Sequence, residues 1–382
     1  MKTMGTGVPS HLGSEERVLL GSYYTPRKYV DLVGEWLKGI LGEGDVILDP
    51  SCGYGAFFQL APSFPRARFV GNDIDRGALA QARRDFPLVE FHAFNALSRI
   101  SRRRYGVGGG EVMAIVGNPP YNDTTSLIGR RLKKSSGCSM DEDVRTRDLG
   151  LSSLLAYDKL QADWVAVLHP LSYLIKKANH KTCGRFFGNY RLCRHLVFSS
   201  QEFAGTSKAV GFPVLVALYK RSPGEGMPYD EVRKTRFHTV EGDSFCLAEM
   251  EFVSDCVNKY PNAIDASPRF SGYYFYTLRD INALRRCRTF LPGKCANAVA
   301  IPCEKLPYYH YIDCFKHLAE APYWAGNLDI PFQKEGFPAI ADIAAKYSKS
   351  LHPEVFGDDL PAPSPGETAA LRDYVNAAWK KA

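Results

Sequence analysis

Four consecutive residues, Asn118-Pro119-Pro120-Tyr121, combine hydrogen-bond acceptors with an aromatic face. Two prolines in a row stiffen the backbone and remove two N–H donors, so the local carbonyl oxygens and the Asn118 side-chain oxygen stay available to accept. Tyr121 adds a flat ring. A site of this kind suits a planar ligand that carries an exocyclic amino group, adenine being one. The competing reading is a Pro-Pro strand ending with Tyr121 packed into the core.

Two acids form a second group. Asp49-Pro50-Ser51-Cys52-Gly53-Tyr54-Gly55 has the pattern Asp-x-x-x-Gly-x-Gly. It lacks the third glycine of the dinucleotide fingerprint and the Gly-Lys-Ser/Thr of a P-loop. That argues against nucleotide phosphates and for a ligand whose cationic end meets Asp49. Asp73 ends the next apolar run, in the position of acids that hold ribose hydroxyls. Ile74 beside it is a candidate to pack on an adenine face, and Asn95 offers an amide oxygen to an amino group. His92 has no acid or base partner in sequence and reads as packed or surface, and His169, before Pro170, reads as structural.

The elements that position these groups follow from hydrophobic runs. Asp45–Asp49, Arg68–Asp73, Val89–Ala93, Val112–Gly117 and Trp164–Pro170 read as strands, with Leu196–Phe198 and Val210–Tyr219 completing a sheet. Helices alternate with them. Thr25 and Pro26 start one as N-cap and first residue, Ala56–Leu60 and Leu151–Lys159 read as two more, and Asp75 caps the helix Gly77–Asp85. The fold class is therefore α/β, with Asn118 and the two acids at carboxyl ends of strands, where open sheets bind ligands. Phe203 sits among small polar residues, reads as loop rather than core, and is a candidate to face a base.

At 382 residues the chain is long enough for two domains. Ser222–Pro228 reads as the linker, giving domains 1–222 and 223–382, the latter smaller, with mixed short runs and a helix from about Thr368. Apolar content of 45% and charged content of 23% are those of an ordinary soluble protein. With no apolar signal core and no membrane-length run, the expectation is a cytoplasmic protein without a membrane partner. None of the ten cysteines falls in a Cys-x-x-Cys pair, so reduced thiols are expected. Cys295, Cys303, His310, Cys314 and His317 crowd together, but their irregular gaps do not make a metal site.

The formal charge of +7 is uneven. Through Ser222 there are 30 Lys and Arg against 20 Asp and Glu, net +10; beyond it 18 against 21, net −3. A basic amino-terminal part is expected of a surface that meets phosphates, and equally of a solvated basic surface. Arg102-Arg103-Arg104, and the loop carrying Arg130, Arg131, Lys133 and Lys134, either hold a nucleic-acid backbone or are solvated. Arg285, Arg286 and Arg288, near Tyr273, Tyr274 and Tyr276, form the densest basic and aromatic mixture of the second half. They are read as DNA-facing, against an exposed helix paired with acids.

Tyr24-Thr25-Pro26, Asp49–Phe57, Asn72-Asp73-Ile74-Asp75 and Asn118-Pro119-Pro120-Tyr121, in this order and spacing, resemble the gamma-class DNA adenine-N6 methyltransferases over residues 21–222. The resemblance implies a Rossmann-like class I methyltransferase sheet followed by a target-recognition domain of α+β type. It implies S-adenosylmethionine as cofactor and double-stranded DNA as partner. By position, Tyr24, Thr25, Asp49, Ser51, Cys52, Gly53 and Gly55 would line the methionine end, Asp73 would hold the ribose and Ile74 the cofactor adenine. Asn95 stands where the family has Asp, and can still accept. Asn118, Pro119, Pro120 and Tyr121 would hold a flipped adenine, with Phe203 stacking on its other face. A restriction endonuclease or specificity partner fits such a modification enzyme. An RNA adenine-N6 or protein glutamine methyltransferase of the same fold is the alternative, and a non-catalytic nucleic-acid-binding partner a third.

Overall fold

The computed structural model describes residues 25–121, 140–203, 211–358 and 361–380. The chain divides into two compact units, Met1–Val232 with Phe237–Gly242, and Arg233–Arg236 with Asp243–Ala382. Among the described residues no helix is long and apolar enough to cross a membrane.

The first unit is built on seven strands: β1 (Val46–Asp49), β2 (Arg68–Asn72), β3 (Glu90–His92), β4 (Met113–Gly117), β5 (Trp164–Pro170), β6 (Tyr190–Ser199) and β7 (Pro213–Arg221). Their spatial order is β3-β2-β1-β4-β5-β7-β6. The first five are parallel, and β7 runs antiparallel to both neighbours. This is the Rossmann-like class I methyltransferase sheet. β1, β4 and most of β5 are buried residue after residue, as expected of parallel strands covered on both faces. The order reverses between β1 and β4, the switch point at which such sheets hold ligands.

Helices cover the faces. Arg27–Leu37 buries Tyr29, Val30, Val33, Trp36 and Leu37. Pro26 occupies its cap position and its carbonyl accepts from the Tyr29 N–H at 3.0 Å, while Thr25 is buried, so Thr25 is not the N-cap expected from sequence. Asp75 does cap Arg76–Asp85, its Oδ1 accepting from Gly77 at 2.8 Å and Ala78 at 3.1 Å. After Gly55 the chain forms a 3₁₀ helix, Ala56–Ser63, which buries Phe57, Phe58 and Leu60. β6 extends well before the expected Leu196–Phe198, because its first half exposes Arg191 and Arg194 at the sheet edge. Charges there protect an open edge and break the apolar run that sequence reading depends on.

Ser222–Pro228, expected as a linker, is tied into the first unit. Ser222 N–H donates to Asn189 O at 2.7 Å, Met227 N–H to Phe187 O at 2.6 Å, and His180 Nε2 lies 2.9 Å from the Met227 carbonyl oxygen. The chain passes to the second unit only at Arg233.

The second unit is α+β. Its antiparallel sheet has the order β9-β8-β10, with β8 Phe270–Tyr276, β9 Phe290–Leu291 and β10 Ala298–Pro302. Helices Leu306–Leu318, Phe337–Ser350 and Pro365–Lys380 accompany it. Asp313 is fully buried, accepting from Ser348 Oγ at 2.8 Å and lying 3.1 Å from His352 Nε2. His310 Nδ1 pairs with Ser348 Oγ at 3.0 Å, and Cys314 Sγ with Ala344 O at 3.2 Å. Among the described residues no group of three or more His, Cys, Asp or Glu side chains is arranged to hold a metal.

Candidate active site

The carboxyl ends of β2, β1 and β4 lie side by side, and a residue singled out by sequence closes β1 and directly follows each of the other two. Asp49 closes β1. It is buried, with Oδ1 accepting from the Ser51 N–H at 3.1 Å. Burial pushes its carboxyl well above the ordinary range; the Ser51 N–H opposes this and the nearby Asp73 charge adds to it. Asp73 follows β2. Its two oxygens accept from Gly53 N–H at 2.7 Å and Asp75 N–H at 2.9 Å. Burial raises this carboxyl too, against those two N–H groups. Among the described residues neither acid has a Lys, Arg or His partner. Two acids raised by burial beside one another would be relieved by a cation between them.

The glycine turn is stitched to β2 rather than loose. Cys52 N–H donates to Asn72 O at 2.9 Å, and the Gly53 bond to Asp73 adds a second tie. Gly53 and Gly55 have φ of 50° and 82°, the left-handed region that a side chain resists. Ser51 is half-buried, and Cys52 is buried with its thiol pushed up by burial and by the Asp49 and Asp73 charges, which disfavours the thiolate.

Asn72 is the residue that sequence reading passed over. Fully buried, it donates to Pro50 O at 2.9 Å and Phe94 O at 3.0 Å and accepts from the Phe94 N–H at 3.1 Å. One side chain thus ties together the ends of β1, β2 and β3. A polar residue closing an apolar strand was the available signal. Ile74 is 57% exposed, unusual for an isoleucine. Asn95 Oδ1 accepts from Leu97 N–H at 3.0 Å.

Asn118 follows β4 directly. A Cβ built on Gly117 would lie 3.2 Å from Asp49 Oδ1, so Asn118-Pro119-Pro120-Tyr121 begins on the same rim as Asp49. Pro119 is buried and Pro120 half-buried. The Tyr121 ring packs partly against the core, and its hydroxyl meets Asn118 Oδ1 and, at 3.1 Å, the Leu168 carbonyl of β5. Behind it His169 is fully buried with both ring nitrogens engaged, by Pro170 O at 2.9 Å and the Tyr219 hydroxyl at 2.8 Å. Burial lowers its pKa to about 4, in keeping with a structural role.

Other expectations fare differently. Phe203 is only 2% exposed and packs edge-on to Phe198 at 5.4 Å, within the cluster that includes Tyr29. It is core, contrary to expectation, because its small polar neighbours hide the apolar surface beneath it. Tyr24, Arg130, Arg131, Lys133 and Lys134 lie outside the described residues. Arg285, Arg286 and Arg288 are exposed. Arg285 donates to Ala321 O and Arg286 to Asn282 O, both at 3.1 Å. Lys294 pairs with Asp265, and Tyr273 packs on Phe356 at 4.7 Å.

No protein-family model and no curated protein matches the chain. Solved structures do. The modification subunit assigned to a type I restriction enzyme of Vibrio vulnificus is 17% identical, covering 60% of this chain and 53% of that one, with a TM-score of 0.39. A protein classed as an RNA methyltransferase from Pyrococcus horikoshii is 13% identical over 58% and 93%, with a TM-score of 0.38. Magnesium protoporphyrin IX methyltransferase from Synechocystis, with bound S-adenosylmethionine, is 16% identical over 57% and 87%, with a TM-score of 0.32. This chain spans about half the length of the Vibrio protein. Likenesses this distant add nothing to what the strand order already establishes.

Proposed function

We propose that the chain is an S-adenosylmethionine-dependent methyltransferase acting on adenine N6 of a flipped base in double-stranded DNA. The observation that carries this reading is the shared rim, where buried Asp49 and half-buried Asp73, neither with a basic partner among the described residues, adjoin Asn118-Pro119-Pro120-Tyr121 across β1 and β4 of a class I sheet.

The residues fit the cofactor. Asp49 answers a cationic centre, Asp73 has lone pairs left for ribose hydroxyls, and Ile74 offers an apolar face. When bound, S-adenosylmethionine supplies an electrophilic methyl group on a sulfonium. Adenine N6 is a poor nucleophile because its lone pair is delocalised into the ring. Acceptors at Asn118 Oδ1 and the Pro119 carbonyl bind the two N–H bonds best when that nitrogen turns tetrahedral, which favours the transition state over the ground state. The half-buried Tyr121 offers a face that offsets part of the unstacking cost, roughly a few kcal/mol. Arg285, Arg286 and Arg288 belong to the reading as DNA-facing groups, and a restriction endonuclease or specificity subunit as a partner on the same sites.

The test is sequencing for N6-methyladenine in DNA from cells expressing the protein, beside cells expressing Asn118→Ala. Methylated adenine at a recurrent sequence, absent with the variant, is expected. Transfer to RNA or to a glutamine amide instead would overturn the substrate. Absence of measurable S-adenosylmethionine binding would overturn the enzyme.

A further inference from the structure

We infer that Asn72 is a positioning residue that holds the glycine turn after β1 and the end of β3 at a fixed separation, so that a cofactor long enough to touch both binds without drawing them together. The inference rests on the methyltransferase reading above and gives a task to a residue that reading left out.

At this rim the backbone ladders run out. β1 and β2 pair last at Asp49 and Gly71, and β2 and β3 at Asn72 and His92. Beyond these points the chain on one side turns through Pro50 toward the glycines, and on the other it leaves through Phe94 and Asn95. The fully buried Asn72 amide takes over where the ladders stop. With Phe94 it makes the reciprocal pair of bonds that facing residues of an antiparallel ladder make, its Nδ2 donating to the carbonyl at 3.0 Å and its Oδ1 accepting from the N–H at 3.1 Å. Its other Nδ2 hydrogen goes to Pro50 O at 2.9 Å. A primary amide has two N–H bonds, so no donor is left for a ligand. Asn72 acts through its neighbours.

Those neighbours adjoin the groups assigned to the cofactor. Asp49 precedes Pro50, Asp73 follows Asn72 and Asn95 follows Phe94. The residues proposed for the methionine end, the ribose and the adenine amino group are thus each next in sequence to a residue in this one network. A ligand that meets only one end of the cleft gains little from a fixed width. One that spans it avoids the cost of ordering the two sides on binding, which is what preorganisation supplies.

The experiment compares the full chain with Asn72→Leu, which keeps the branched shape and removes all three bonds. Calorimetry measures S-adenosylhomocysteine, which spans the cleft, and NMR titration measures adenosine and methionine, which do not. Affinity for S-adenosylhomocysteine should fall about tenfold, the size of one neutral hydrogen bond, while adenosine and methionine each stay within about twofold. The loss for the whole ligand should therefore exceed the product of the losses for its parts, since only the linked ligand depends on the spacing between its two subsites. A loss no greater than that product overturns the inference, as does an unchanged affinity for S-adenosylhomocysteine. Should Asn72→Leu not fold, Asn72→Ser leaves room for a water to satisfy the freed carbonyls and is measured in the same way. If neither folds, the residue serves the fold alone and the inference fails. Absence of S-adenosylhomocysteine binding by the unaltered chain overturns the cofactor reading and the inference with it, whereas binding with matched losses overturns the inference alone.

Discussion

Asn118 and Asp73 sit on one rim but touch different partners, so their removal should be separable. Asn118→Ala is expected to abolish transfer with cofactor affinity nearly intact. Asp73→Ala should weaken the cofactor by about 1.5–3 kcal/mol, the worth of hydrogen bonds to a charged group, and also release the Gly53 N–H that it holds. Isothermal titration beside a methylation assay checks both; equal losses of binding and rate in Asn118→Ala would remove that residue from the base pocket. Asp49 carries a pH signature. Its pKa is raised in the folded chain, so between the ordinary carboxylate value and that raised value the folded state holds a proton the unfolded state has lost, and stability falls as pH rises. Asp49→Asn keeps an acceptor for Ser51 and removes the buried charge. Its melting temperature should exceed that of the unaltered protein at pH 7, by a margin that shrinks toward pH 4, while cofactor binding is lost. A lower melting temperature at pH 7 would contradict this. The strand-end positions of Asp49, Asp73 and Asn118 were legible because polar residues punctuate apolar runs; the burial of Phe203 was not, since a buried ring in a polar stretch leaves no periodic trace.

At the level of elements, what sequence revealed best were the strands covered on both faces. β1, β4 and most of β5 read as apolar runs, whereas edge strand β6 was half hidden by Arg191 and Arg194. The second unit stayed opaque for a related reason. Its interior includes Asp313, Ser348 and His310, polar groups buried against partners far away in sequence, and any pattern reading assigns such residues to the surface. The segment 222–228 was misread because Pro and Gly serve close packing as well as flexibility. A Cβ built on Gly226 would run into the Phe187 carbonyl oxygen and the Gly188 backbone, neither of which can swing aside. Gly226→Ala should therefore cost about 1–3 kcal/mol, as overpacking does, and lower the melting temperature by about 2–4 °C for each of those kcal/mol. An unaltered melt would return this stretch to the status of a free linker.

At the scale of the whole molecule, the chain leaves the first unit at Arg233, returns for Phe237–Gly242 and leaves again at Asp243. The returning hexapeptide is not passive. Val240 N–H donates to Val197 O at 3.0 Å, and Phe237 is fully buried with its ring 5.2 Å from that of His195. Of two shortened chains, one ending at Gly242 should melt cooperatively, and one ending at Ser222 should melt lower or aggregate, having lost Met227 and Phe237 from its packing. Calorimetry decides between them, and identical melts would make the return incidental. This threading also bears on inheritance. A module joined at one point can be traded between related genes by a single crossover, but here no single junction carries the second unit whole: one at Arg233 brings foreign residues 237–242 into the first unit, and one after Gly242 leaves Arg233–Arg236 behind.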